Sequence, residues 1–138
     1  MDAITGYAHA IVSLALFAVL ALALNPWAGI ARGRAGLVPG QMPEPDYASR
    51  AFRITRSYQN TVEMTGVFAA VVAAAVLAGA NPFWVNLLAS LALVSRIAMI
   101  FVHVQGIGKA NNGLRTIFFV AGWAMMLLLA LIAAVAAV

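Results

Sequence analysis

The chain has 138 residues, 64% of them hydrophobic and 9% charged, against roughly 25% charged in an average soluble domain. A soluble fold of this length could not hide so much apolar surface, so the composition indicates a single-domain integral membrane protein. Cysteine is absent, which excludes disulfides and a thiolate nucleophile, and the net charge of +4 does not make a nucleic-acid surface, because the cations gather at the ends of apolar segments.

The first apolar run covers residues 4–24, close to the ~20 residues an α-helix needs to cross ~30 Å of hydrocarbon. Ala21-Leu22-Ala23 imitates a signal-peptidase site, but the preceding MDAITGYAHA has no lysine or arginine, and a signal peptide carries a positive n-region. The run is therefore expected to stay in the mature protein as a helix, with His9 as an interfacial or packing residue. Residues 25–46 hold four of the five prolines and four of the eleven glycines, a density that predicts a loop, with Trp27 as an interfacial anchor. Arg32 and Arg34 in this stretch read as solvated loop cations.

A second helix is expected over residues 47–79. Gly66, Ala70, Ala74 and Ala78 recur every fourth residue along it, a ridge of small side chains that lets another helix approach closely. Gly79-Ala80-Asn81-Pro82 reads as a tight turn, with Pro82 in the first turn of a third helix over residues 82–105. Arg96 and His103, seven residues apart, share one face of that helix. The glycine-rich GIGKANNG of residues 106–113 is not a Walker motif, because His103 stands where its first glycine belongs, and it reads as a flexible connection. A fourth helix is expected over residues 114–138, opening with Arg115 and Thr116. Trp123 and the Met125-Met126 pair read as core or lipid-facing residues.

The chemistry concentrates in residues 50–63, RAFRITRSYQNTVE, directly against the apolar run of residues 64–80. At 100° per residue, Arg53, Arg56, Asn60 and Glu63 fall within an arc of roughly 80°, with Arg50 at its edge. Ionisable groups at membrane depth normally face a bundle interior or a wet cavity. Snorkelling anchors are the alternative; that reading suits Arg50 equally well, whereas anchoring needs neither an amide nor a carboxylate. Loops one and three carry the basic residues, while the middle loop and both termini carry none. The positive-inside rule then places those loops in the cytoplasm and both termini on the other side. The alanine-rich composition hints at a bacterial inner membrane.

The series Arg53-x-x-Arg56-x-x-x-Asn60-x-x-Glu63, followed by Asn81-Pro82-Phe83, Arg96 and Arg115, resembles the MAPEG proteins, the membrane-associated proteins of eicosanoid and glutathione metabolism. That resemblance implies an all-α four-transmembrane-helix bundle assembled as a homotrimer, with glutathione bound between neighbouring subunits near the cytoplasmic side. It implies that Arg53, Arg56, Asn60 and Glu63 hold the tripeptide, with Arg96 and His103 contributing from the third helix. Arg115 would face the sulfur, with the Thr116 hydroxyl beside it. The sequence departs from some members at Gln59, His103 and Phe119, where arginine or tyrosine is found.

The chemistry implied is coherent in itself. Arginines match the two carboxylates of glutathione, Glu63 matches its ammonium, and a guanidinium beside the thiol stabilises the thiolate. A lipophilic electrophile would arrive from the bilayer and the peptide from water, so that proximity supplies much of the rate. No metal is expected, with two distant histidines and no cysteine. The competing reading is a non-catalytic lipid- or partner-binding scaffold of the same fold, with the polar stripe as structural glue. A small transporter is disfavoured, because the first and third helices carry no mid-membrane carboxylate.

Overall fold

The computed structural model describes residues 2–109 and 112–138. A short helix α1 (Asp2–Thr5) precedes four long ones, α2 (Ala8–Arg34), α3 (Arg50–Leu77), α4 (Pro82–Gln105) and α5 (Leu114–Ala136). Each of these four is long and apolar enough to cross a membrane. They run up and down in an all-α bundle in which α2 packs on α3 and α4, and α5 on α4 and α3. The protein is thus a multi-pass integral membrane protein, and the ends of α2 and α4 lie beside the starts of α3 and α5.

The first span departs from expectation. It breaks at Gly6-Tyr7 and then continues unbroken through Asn25-Pro26-Trp27 to Arg34, where the sequence predicts a loop. A proline inside a helix forfeits a hydrogen bond and costs about 3 kcal/mol in a soluble host. Here Pro26 lies on the exposed side, while Leu24 and Ala28 bracket it on the buried side and pack with Ile54, Met99, Ile100 and Val104. Packing on both sides of the proline carries the helix through it, as neighbouring helices allow in membrane spans. The loop therefore begins at Ala35 rather than Asn25.

The break near the N-terminus has its own cause. Asn86 of α4 accepts from the Ala10 N–H at 2.9 Å and donates to the Gly6 carbonyl at 2.7 Å, while the Tyr7 hydroxyl donates to the Ala80 carbonyl. Side chains thus satisfy the backbone groups a kinked helix would leave unpaired in lipid. His9 is exposed at this end.

The other boundaries follow local chemistry. Ser49 caps α3, accepting from the Phe52 N–H at 3.3 Å, and Asn81 caps α4 ahead of Pro82, accepting from the Phe83 N–H at 3.0 Å. Helix α4 ends at Gly106 in the left-handed conformation, with the Ile107 N–H reaching back to the Val102 carbonyl at 3.0 Å. Of the loop read as flexible, Ala110 and Asn111 lie outside the described residues. The ridge of Gly66, Ala70 and Ala74 faces outward, and Ala78 is half-buried, so this chain's own helices do not use it. Trp123 is exposed on α5, while Met126 is core.

Two apolar clusters fill the interior. One surrounds Phe17, Phe68 and Leu129, and the other is the Leu24–Ile54–Met99 group toward the basic end. Gly106, at the end of α4, is closely approached by the Arg53 side chain. A Cβ there would sit 3.1 Å from the Arg53 guanidinium carbon, at a φ of +68° that side chains rarely adopt. Gly106→Ala is therefore expected to lower stability by about 1–2 kcal/mol, read as a drop in thermal unfolding midpoint in detergent. An unchanged midpoint would show that neither the backbone conformation nor the Arg53 contact matters.

Candidate functional site

Every lysine and arginine except Arg96 lies in the loops or within about two turns of the helix ends at one end of the bundle. At this basic end, α3, α4 and α5 diverge around a cavity of about 240 Å³. Arg56, Ser57 and Asn60 line it from α3, Met99 and His103 from α4, and Arg115, Thr116 and Phe119 from α5. Each helix contributes residues three or four apart, which share one face. His103 and Arg115 also border an adjoining recess of about 140 Å³, closed by Tyr47, Arg53, Gly106 and Lys109.

The residues singled out in the sequence divide by what they touch. Arg56, Asn60, His103, Arg115 and Thr116 meet at the cavity. Arg53 instead spends its guanidinium on backbone carbonyls, donating to Tyr47 at 2.7 Å, Ala48 at 2.8 Å and Val104 at 3.3 Å. It ties the loop before α3 to the end of α4. Arg96 is buried at 3% exposure, donates to the Asn60 Oδ1 and to the Met99 sulfur at 3.5 Å, and lies 5.4 Å from the Phe17 ring and 6.0 Å from the Phe119 ring. Glu63 pairs with Arg56 at 3.4 Å, one helical face along, with 57% of its side chain exposed. It stands at the open margin of the site.

Tyr47 escaped the sequence reading. Its ring packs edge-on to Phe52 and His103, at centroid distances of 5.2 and 5.8 Å, and the Arg115 guanidinium lies over it at 5.1 Å. Arg53, holding the Tyr47 carbonyl, thus supports the ring on which Arg115 rests. No helical periodicity reaches Tyr47, because it precedes the α3 cap. Ser57 was legible in principle: it projects between Arg53 and Arg50 on the helix face, extending the polar stripe by about 40°.

Two buried atoms at the cavity lack hydrogen-bond partners among the described residues, the Ser57 Oγ and the His103 Nε2. An orphan of this kind costs ~1–3 kcal/mol, a penalty that a polar occupant relieves. The Thr55 hydroxyl is likewise unpartnered, lines neither recess, and has no explanation in the structure. Among the described residues no cluster of metal-binding side chains occurs. With Arg56 and Arg115 at the cavity, Arg53 and Lys109 beside it, and Glu63 as the nearby acid, the local field favours an anion.

The fold and this notch together define a polytopic helical membrane protein with a cation-lined polar cavity at one end. The sequence pattern of the MAPEG family matches residues 10–135, nearly the whole chain, and the protein belongs to that family. No curated protein matches the sequence.

The Arg96–Asn60 contact generates a test. A hydrogen bond to a charged group contributes about 1.5–3 kcal/mol, so Asn60→Leu should destabilise the bundle by about 2 kcal/mol. Adding Arg96→Met should restore most of that loss, since the stranded charge is then gone. Additive losses in unfolding measurements on the two single variants and the double variant would show that the two side chains are energetically independent.

Proposed function

We propose that the protein is a glutathione-dependent membrane transferase or peroxidase, which holds the glutathione thiolate against a lipophilic electrophile delivered from the bilayer. The observation that carries this reading is the convergence of Arg56, Asn60, His103, Arg115 and Thr116 from three helices on one partly buried cavity. Family membership supports glutathione-related or eicosanoid-related chemistry in general terms; the specific activity is our inference.

The residues present suit the tripeptide. Arg56 is placed to hold a carboxylate, and Asn60, its oxygen already taken by Arg96, retains its amide N–H groups for a peptide carbonyl. Glu63 offers the ammonium a partner at the open margin. Arg115, steadied over the Tyr47 ring, faces the thiol in this scheme. As the S–H proton leaves to water, the guanidinium stabilises the thiolate electron pair, and the Thr116 hydroxyl donates a further hydrogen bond to the sulfur. The thiolate then attacks the electrophilic carbon, displacing a leaving group or opening a ring, or attacks a peroxide oxygen, breaking the O–O bond and expelling an alkoxide that takes a proton from water. In the peroxide case the resulting glutathione sulfenic acid is then reduced by a second glutathione to the disulfide and water.

A cavity of about 240 Å³ falls below the roughly 300–1,000 Å³ of most small-molecule sites. A second surface is therefore needed to enclose the ligand. The outward ridge of Gly66, Ala70 and Ala74 suits close approach by a neighbouring helix, and a homotrimer with shared sites follows as part of the proposal. By the charge distribution, the notch faces the cytoplasm and the termini face away, in a bacterial inner membrane. The Arg56–Glu63 ion pair favours one rival, a non-catalytic lipid- or partner-binding scaffold, since it gives Glu63 a role without any ligand.

Titrating glutathione into the purified protein separates the two. The wild type should bind it and show thiolate absorbance at pH 7, whereas no binding at all would establish the scaffold. Arg115→Ala should lose the thiolate signal while still binding, and an undiminished signal would remove Arg115 from this role. Tyr47→Leu should weaken the thiolate signal with little change in affinity. Arg56→Ala should weaken binding by about 10–100-fold, the worth of one charge-assisted contact; calorimetry showing unchanged affinity would assign Arg56 to the Glu63 pair alone.

A further inference from the structure

A second polar feature lies away from this cavity, on the other side of the basic end. Trp27, Ile30, Ala31 and Arg34 of α2 fall on one helical face and, with Arg50 and Ile54 of α3, line a groove of about 380 Å³. This is larger than the cavity assigned to the tripeptide and differs in design. Its floor is aliphatic and aromatic, two guanidinium groups stand at its polar end, and no acidic residue lines it.

Arg34 and Arg50 are exposed and, among the described residues, neither makes an ion pair or a side-chain hydrogen bond. They thereby differ from Arg53, Arg56 and Arg96, each of which is engaged within the chain. Trp27 is half-exposed at 39% in the same groove, and indole rings settle at the headgroup level. One wall thus registers the depth at which the hydrocarbon ends, and the cations stand just beyond it.

We propose that this groove binds one anionic phospholipid, its phosphodiester between Arg34 and Arg50 and the upper part of an acyl chain along Trp27, Ile30 and Ile54. Two guanidinium forks match a phosphate in charge and in donor geometry. The apolar floor below them excludes a purely water-soluble anion as the best occupant, since such a ligand would leave that floor uncovered. A zwitterionic lipid brings an ammonium group, trimethylated in phosphatidylcholine, that the paired arginines repel. The inference does not depend on the glutathione reading.

The test is lipid retention by the full-length protein purified in detergent, measured by native mass spectrometry after adding equal phosphatidylglycerol and phosphatidylcholine. Wild type should retain phosphatidylglycerol about tenfold or more over phosphatidylcholine, from two cations near the surface. Arg34→Gln combined with Arg50→Gln should abolish the preference. Arg32→Gln, two residues away on the opposite side of α2 and outside the groove, should leave it intact. Both altered side chains are exposed and unpartnered, so the double variant keeps its fold. Absence of preference in wild type, or its survival in the double variant, would overturn the proposal. Equal loss with Arg32→Gln would also overturn it, as diffuse surface charge. Full competition by soluble glycerol phosphate would assign a free-anion site instead, and loss of subunit association in the double variant would assign the groove to a second copy of the chain.

Discussion

A guanidinium enclosed by hydrocarbon is the most demanding object in this bundle. At 3% exposure, Arg96 has water on almost no side. The structure answers with an amide oxygen from α3, a thioether from its own helix and aromatic faces from α2 and α5. Four helices are thereby fixed around one cation. The two apolar clusters meet at this level, and the polar cavity opens just above it, with Asn60 belonging to both. The proposed site is built on the solution to a burial problem.

The same economy runs through the basic end, where cations act as structural ties as often as they face open space. Arg53 gathers three backbone carbonyls from two segments. Through Tyr47 it supports Arg115, so that a residue with no place in the cavity determines the posture of one that lines it. Gly106 helps by leaving room where a Cβ would press on the Arg53 guanidinium at 3.1 Å. The support is continuous, from the end of α4 through the loop to the start of α5.

Much of the architecture was legible because it depends on period and length. Four apolar spans, the proline-led start at Pro82 and the helix end at Gln105 follow from residue types alone. So does the gathering of Arg56, Asn60, His103, Arg115 and Thr116 at one end, since helical spacing and alternating direction suffice to place them. Depth was not legible. A helical wheel gives the bearing of Arg53 and Arg96 but not their reach, and each turns out to be occupied by groups distant in sequence, Val104 and Asn60. Pro26 misled for a similar reason: its local penalty is real, but Leu24 and Ala28 on the opposite face decide the outcome through contacts no window of sequence contains. Tyr47, lying before the helix cap, offered no periodic signal.

The passage of α2 through Pro26 has a further effect. With 27 and 28 residues, α2 and α3 measure about 40 Å each, whereas the hydrocarbon layer is about 30 Å thick. Part of each helix must therefore stand proud of the oil or lean to fit it. The notch lies where α3 begins and α4 ends, so if the surplus stands out at this end, the thickness of the surrounding bilayer governs how deeply it is immersed: a thin membrane leaves its mouth flooded, and a thick one draws it toward dryness.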